Sequence, residues 1–423
     1  MIGVACLLAL LVTAHRHPRP GVEAAISVLV IAVMLGAHPL IGQGVGLRDA
    51  GRAVEHLLPV VGFLMAILVV SEVCARAGLF ETAADLVRRH SRRDPRRLFL
   101  GVFVLAALVT TVLSLDATVV LLTPVVIGAA RGFGASGSPG AYACLQLANS
   151  GSLLLPVANL TNLLALPYLH LTFTGFAARM ALPLVVVLVV EYAGLRLLFR
   201  NELTPAPAVS LVPDLADGDT PENMSGTSGA WRPPAVVVVL MLLAFGALSP
   251  FGVEPWVPAT AAAVVLLGWA GRRRLVSTRE AAHAAHPSFA LWVLALGVVV
   301  AGLADDFLGD LVARVLPSGT GFGALLLIAV IATLAAALLA NLSATLLIVP
   351  ALVPLGDTAI LAALLGLTIG AGLTWTGSLA NLLWRRTLAR GGITPGNGRF
   401  HLVSLTLTPV ALLAAVAALA VTS

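Results

Sequence analysis

Ser114-Leu115-Asp116-Ala117-Thr118 and Asn341-Leu342-Ser343-Ala344-Thr345 decide how this chain folds. Each is a short polar interruption in the middle of an apolar stretch, the first covering residues 97–131 and the second 321–356. Each stretch is nearly twice the ~20 residues that one helical crossing of a bilayer requires. Irregular backbone at membrane depth is tolerated only where it is buried in protein or lines a water-filled cavity. Both stretches therefore predict helical hairpins that enter the membrane and return to the side they came from.

The rest of the sequence supports a membrane setting. Of 423 residues, 59% are hydrophobic and only 11% charged, with a mean hydropathy of +1.00. Soluble domains carry about 25% charged residues. This excludes disorder, a nucleic-acid binder and an ordinary soluble enzyme. The apolar runs are long and unbroken, which excludes a lipid-facing β-barrel. All 25 basic residues are arginine. Without lysine there is no P-loop nucleotide site and no Schiff base. Cys6, Cys74 and Cys144 form neither a metal-type spacing nor a disulfide framework. No cofactor is indicated. The apolar run Ile2–Thr13 precedes His15-Arg16-His17-Pro18-Arg19, the reverse of a cleaved signal, and reads as a first crossing with its N-terminus outside.

Full crossings are predicted near 2–14, 22–41, 56–76, 141–168, 174–199, 233–250, 256–271, 288–305, 358–384 and 401–421. With the hairpins returning to their own side, the inner loops are 15–21, 77–96, 132–140, 200–232, 272–287 and 385–400. Twenty-one of the 25 arginines lie in or beside these loops. That is a strong positive-inside bias. It predicts a multi-pass protein of the cell membrane with both termini outside.

The predicted fold class is an all-α polytopic membrane protein made of two inverted-topology repeats. Each repeat has three spans, a re-entrant hairpin, a broken span and one further span. The first covers 1–200, with hairpin 97–131 and broken helix 141–168. The second covers 233–423, with hairpin 321–356 and broken helix 358–384. A Pro/Asp/Gly/Ser-rich linker, 201–232, joins them. Asn159-Leu160-Thr161-Asn162-Leu163-Leu164 echoes Ser378-Leu379-Ala380-Asn381-Leu382-Leu383. Inverted repeats whose interrupted helices meet near the midplane are the architecture of secondary transporters.

Asp116 reads as the only carboxylate deep in an apolar stretch. An intramembrane carboxylate without a countercharge tends to carry a proton, so Asp116 is the candidate for proton coupling. The alternative reading, compatible with that role, is a cap on the returning arm of the hairpin. The candidate substrate or ion ligands are Ser114, Asp116, Thr118, Asn149, Ser150, Asn159, Thr161 and Asn162 in the first half. Asn341, Ser343, Thr345, Thr374, Thr376, Ser378 and Asn381 are their counterparts in the second. Glycines around them break the helices and expose carbonyls and half-helix N-termini to a common centre. Small and hydroxyl residues also serve close helix packing. The arginine-rich segment 79–97 reads as an interfacial helix on anionic headgroups. Gly134-Ala135-Ser136-Gly137 lies in an inner loop and reads as a turn rather than a catalytic serine, and no enzyme is expected.

These residues resemble the arsenical pump membrane protein family, within the ion transporter superfamily that also holds sodium/dicarboxylate permeases. Ala77-Gly78-Leu79-Phe80-Glu81 resembles the family's first inner loop. Asp116-Ala117 with Leu122-Thr123-Pro124 resembles its first hairpin tip. Ala158-Asn159-Leu160-Thr161-Asn162 resembles its first broken helix. The run Leu373-Thr374-Trp375-Thr376-Gly377-Ser378-Leu379-Ala380-Asn381-Leu382-Leu383-Trp384 resembles the second and is the most specific. Leu115 and Ala117 depart from the family's Asn-Asp-Gly tip. The resemblance implies efflux of arsenite or antimonite in exchange for protons. It implies a small-molecule or ion substrate within a lipid bilayer and allows a homodimer. A separate soluble ATPase serves some members, and nothing in this sequence indicates one. The competing reading is a sodium-coupled carrier of an organic or inorganic anion.

Overall fold

The computed structural model describes residues 2–16, 20–41, 43–92, 94–132, 134–204, 229–304, 314–317 and 319–422. Most of the 201–232 linker and the acidic group Asp305, Asp306 and Asp310 fall outside the described residues. The described chain is helical throughout, as apolar segments in lipid must be to satisfy their own backbone.

The first half runs α1 (Ile2–Arg16), α2 (Pro20–Ile41), α3 (Leu47–Arg76), α4 (Leu79–His90), α5 (Pro95–Val112), α6 (Thr123–Gly132), α7 (Ser138–Ser150), α8 (Leu160–Ala165) and α9 (Phe173–Leu198). The second runs α10 (Arg232–Leu248), α11 (Trp256–Arg272), α12 (Thr278–Ala284), α13 (Pro287–Ala304), α14 (Phe322–Leu339), α15 (Asn341–Leu352), α16 (Asp357–Ile369), α17 (Leu379–Arg390) and α18 (Asn397–Thr422). Eight described segments are long and apolar enough to cross a membrane, on α2, α3, α5, α9, α10, α13, α14 and α18. The crossings predicted on α1 and α11 are shorter, at 15 and 17 residues. Those predicted at 141–168 and 358–384 are each split into short helices. The protein is an all-α, multi-pass membrane protein.

Both predicted hairpins turn where the polar interruption falls. The first leaves α5 at Leu113 and re-enters helix through a π-helical stretch, Ala117–Leu122, that leads into α6. α4 packs against both α5 and α6, so the hairpin's two arms have their outer ends together. The second leaves α14 through the single residue Ala340 and enters α15 at Asn341, and α14 packs on α15.

Polar contacts tie the connections to one another. Arg76 at the end of α3 pairs with Glu280 at 2.7 Å and donates to the Leu275 carbonyl. Glu202, after α9, accepts from Ser136 at 2.6 Å and pairs with Arg399. Elsewhere, His170 N donates to Asp357 at 3.0 Å and Phe173 N to Ser249 at 3.0 Å. α4 is amphipathic, with Phe80 and Ala84 buried. On its outer side Asp85 pairs with Arg88 and Arg89. Burial works to raise the Asp85 pKa, but these two guanidiniums outweigh it and hold the carboxyl below its ordinary value.

Helix packing relies on small residues, since lipid supplies no hydrophobic drive for association. One close backbone approach is between α14 and α16. A Cβ added at Gly366 would stand 2.1 Å from the Ala329 carbonyl oxygen and 2.9 Å from the Ala332 Cβ. Gly366→Ala must therefore push two helices apart. The expected cost is about 1–3 kcal/mol, the usual range for overpacking. Thermal unfolding of the detergent-purified variant reads it out, and an unchanged Tm would refute this close approach.

Candidate functional site

The two broken spans solve one problem in one way. α7 stops at Ser150 and continues as 3₁₀ turns at Gly151–Leu153 and Pro156–Ala158 before α8 starts. α16 stops at Ile369 and continues as a 3₁₀ turn, Gly370–Leu373, before α17 starts. Each break strands backbone carbonyls in a buried, low-dielectric place. Asn162 Nδ2 donates to Ser152 O at 2.9 Å and Leu155 O at 3.2 Å. Asn381 Nδ2 donates to Ala371 O and Thr374 O, both at 2.8 Å. In both halves the amide reaches back 10 and 7 residues. Asn159 and Ser378 occupy matching N-cap positions three residues earlier. Asn159 Oδ1 accepts from Thr161 N, and Ser378 Oγ from Ala380 N. The two breaks are tied directly, because Asn149 Nδ2 donates to Asn381 Oδ1 at 2.9 Å. Trp384 adds a second tie: it is fully buried and its Nε1 donates to Ala141 O at 2.9 Å.

The hairpin tips meet these breaks. Thr111 of α5 donates to Gly151 O at 2.9 Å. The Asn341 backbone N–H donates to Gly377 O at 2.9 Å, and Thr374 donates to Ala337 O at 3.2 Å. Within the first tip, Ala117 N donates to Ser114 Oγ, and the Thr110 and Thr118 hydroxyls lie 2.7 Å apart.

A cavity of about 30 Å³ lies where the four elements converge. Five candidate residues line it: Ser114, Asp116, Asn159, Asn341 and Ser378. Phe63, Leu64 and Ile67 of α3 close one wall and Phe289 of α13 another. Asp116 is partly exposed, and its Oδ1 is buried without a hydrogen-bond partner. It makes no side-chain capping bond at the start of the returning arm. No cationic side chain lines the cavity.

The other candidates surround the cavity without lining it. Asn149, Asn162 and Asn381 brace the breaks. Thr118 and Thr345 are buried inside the hairpins, the latter donating to Asn341 O at 2.6 Å. Thr161 Oγ1 and Ser343 Oγ are buried without partners. Thr374 holds the second break to α14. Thr376 is exposed in the turn of the second break and makes no side-chain hydrogen bond among the described residues, so it is not gathered with the rest.

Sequence reasoning missed one residue. Asp116 is not the only carboxylate deep in an apolar stretch: Glu191 of α9 is 2% exposed, and its Oε2 lies 2.7 Å from Ser150 Oγ. Ser150 is therefore turned away from the tips. A glutamate within an uninterrupted 26-residue helix was the available signal.

Residues 8–370 match the model of the CitMHS family, described as citrate transporters. The chain is 27% identical over 378 residues to an arsenical pump membrane protein of Escherichia coli, covering 84% of each chain. It is 28% identical over 379 residues to one of Yersinia enterocolitica, with the same coverage. The YdaH transporter of Alcanivorax borkumensis has a similar fold, with a TM-score of 0.60 at 18% identity over 96% of this chain and 98% of that one. Broken helices, converging tips and a family match spanning most of the sequence agree, and the chain belongs to the CitMHS family of membrane transporters.

Proposed function

We propose that this protein is a proton-coupled exporter of arsenite, antimonite or a similar small neutral oxyacid. One observation carries the reading: the cavity between the tips offers hydroxyls, amides and a single carboxylate, with no cationic side chain. A neutral trihydroxy acid needs donors and acceptors, not a countercharge. The curated relatives named arsenical pump membrane proteins support it. The citrate transporter family favours a second reading, an anion carrier, and half-helix N-termini can bind carboxylates unaided. The absence of a cationic side chain from the cavity lining favours the first.

In this mechanism Asp116 differs between its two protonation states. The neutral acid offers the solute a donor, and the ionised form draws a proton from the other side. Only such a differential interaction can couple the two fluxes. The remaining candidate residues serve as ligands at the tips or as braces that hold the breaks open.

We further infer that residues 1–200 and 233–423 are inverted-topology repeats joined by linker 201–232, with both termini outside. The matched 10- and 7-residue reach of Asn162 and Asn381 supports the repeat. The arginine distribution supports the orientation.

Asp116→Asn keeps the shape of the tip and removes its titration. Arsenite accumulation in everted vesicles driven by an imposed pH gradient should fall about tenfold or more, the scale of a typical coupling energy. Downhill exchange should persist. Full gradient-driven accumulation would leave Asp116 without a coupling role.

Orientation is tested by single cysteines in intact cells. A cysteine replacing exposed Glu81 in α4 should resist an impermeant thiol reagent, and one replacing exposed Phe251 should react. The opposite pattern would invert the assignment.

A further inference from the structure

Glu191 makes a contact that fixes where a proton sits. Its Oε2 lies 2.7 Å from Ser150 Oγ, and the same hydroxyl oxygen lies 2.9 Å from the Gln146 carbonyl oxygen. A serine hydroxyl has one proton to donate, while a carbonyl and an ionised carboxylate can only accept. With Glu191 ionised, one of the two contacts would set lone pair against lone pair. With Glu191 protonated, its O–H donates to Ser150 and Ser150 donates to Gln146 O. Both contacts are then hydrogen bonds.

Further buried polar groups stand on the helices beside α9. Gln146 and Ser150 stand one turn apart on α7, and Ser404 and Thr408 one turn apart on α18. Both helices pack against α9. Gly372 of the second break joins the two pairs: a Cβ there would stand 3.7 Å from Gln146 Oε1 and 3.8 Å from Thr408 Oγ1. All four side chains are more than nine-tenths buried. Gln146 Nε2 and Ser404 Oγ have no hydrogen-bond partner, which leaves two buried donors free on the helices that flank α9. An apolar interior exacts a heavy penalty for a charge without such donors.

No charge competes for the site. Among the described residues Glu191 makes no ion pair. The charged and titratable groups on α18 are Arg399 and His401, in its first turns, with Arg399 paired to Glu202. Those on α7 are Tyr142 and Cys144. α10 carries Arg232 at its first residue, and α5, whose Phe99 and Phe103 rings meet Tyr192, carries Arg96 and Arg97 in its first turn. α9 itself adds Arg179, Tyr192 and Arg196. The 3₁₀ turns packed on α9 add none.

We propose that Glu191 is a second proton-binding site, separate from Asp116, whose proton sets the direction of the Ser150 hydroxyl. On release, the Glu191 O–H bond breaks and water accepts the proton. Ser150 then turns to donate to Glu191, and the Gln146 carbonyl loses that donor. The site adjoins the first break: Ser150 ends α7, its neighbour Asn149 holds Asn381, and the next carbonyl, Gly151, receives Thr111 of the first hairpin.

The test is an infrared titration of the full-length protein in lipid vesicles, from mildly acidic to strongly alkaline pH. No substrate is added, so the result is independent of the arsenite reading. A protonated-carboxyl carbonyl band should remain in Asp116→Asn, be lost as pH rises, and be missing when Glu191→Gln is added to that variant. Ser150→Ala should move it to higher frequency, because the acid loses its acceptor. This variant serves also if Glu191→Gln fails to fold. A band that survives alkaline pH, persists in the Asp116→Asn, Glu191→Gln double variant, or does not move in Ser150→Ala overturns the proposal.

Discussion

Two asparagine amides hold this molecule's centre open. A helix that stops inside a membrane protein leaves carbonyls with no water to accept from, and each unmet group costs several kcal/mol. Asn162 and Asn381 each bridge two such carbonyls across their own break. Everything that lines the cavity is positioned from there. Asn159 and Ser378 cap the helices that resume, the tips dock on the carbonyls that remain, and the Asn149–Asn381 bond keeps the breaks in register. Removing one amide would orphan two carbonyls at once, which sets these residues apart from ordinary polar contacts in the bundle.

Fixing the breaks in this way leaves few polar atoms for a solute. Most of the conspicuous hydroxyls and amides are spent on the scaffold, and only five of the fifteen candidates line the cavity. Asp116 is the one carboxylate in the cavity lining, and its Oδ1 has no hydrogen-bond partner among the described residues. A carboxyl that nothing in the fold uses is available to a solute or a proton, whereas a capping carboxyl would already be committed to backbone N–H groups.

The hairpins and breaks were legible because polar residues interrupt apolar runs at the same places in both halves. Asn162 and Asn381 could be paired by sequence alone, since the residues around them align without gaps. Ligand and brace could not be told apart, because both use the same amide chemistry and differ only in what lies within 3 Å. Ser150 shows this: its position beside a break suggested the cavity, but helical phase turns it toward α9. Glu191 escaped notice for the opposite reason. It is the one acidic residue in a regular helix, so no interruption marks it, and only the three-dimensional neighbourhood reveals that it is buried against the Ser150 hydroxyl.

Ala340 shows how firmly the centre is determined. It is a non-glycine residue with φ 63 and ψ 153, a conformation populated almost only by glycine and costing about 1–3 kcal/mol. No local preference selects it. It turns the chain from α14 into α15 in a single residue, which brings the Asn341 N–H to Gly377 O and the Asn341 side chain to the cavity. Glycine would adopt the turn without strain but would also loosen the arm in every other conformation. Alanine removes that freedom, so the tip holds its place only while the second break holds its own. Strain at this residue therefore ties the hairpin's position to the geometry of the broken helix.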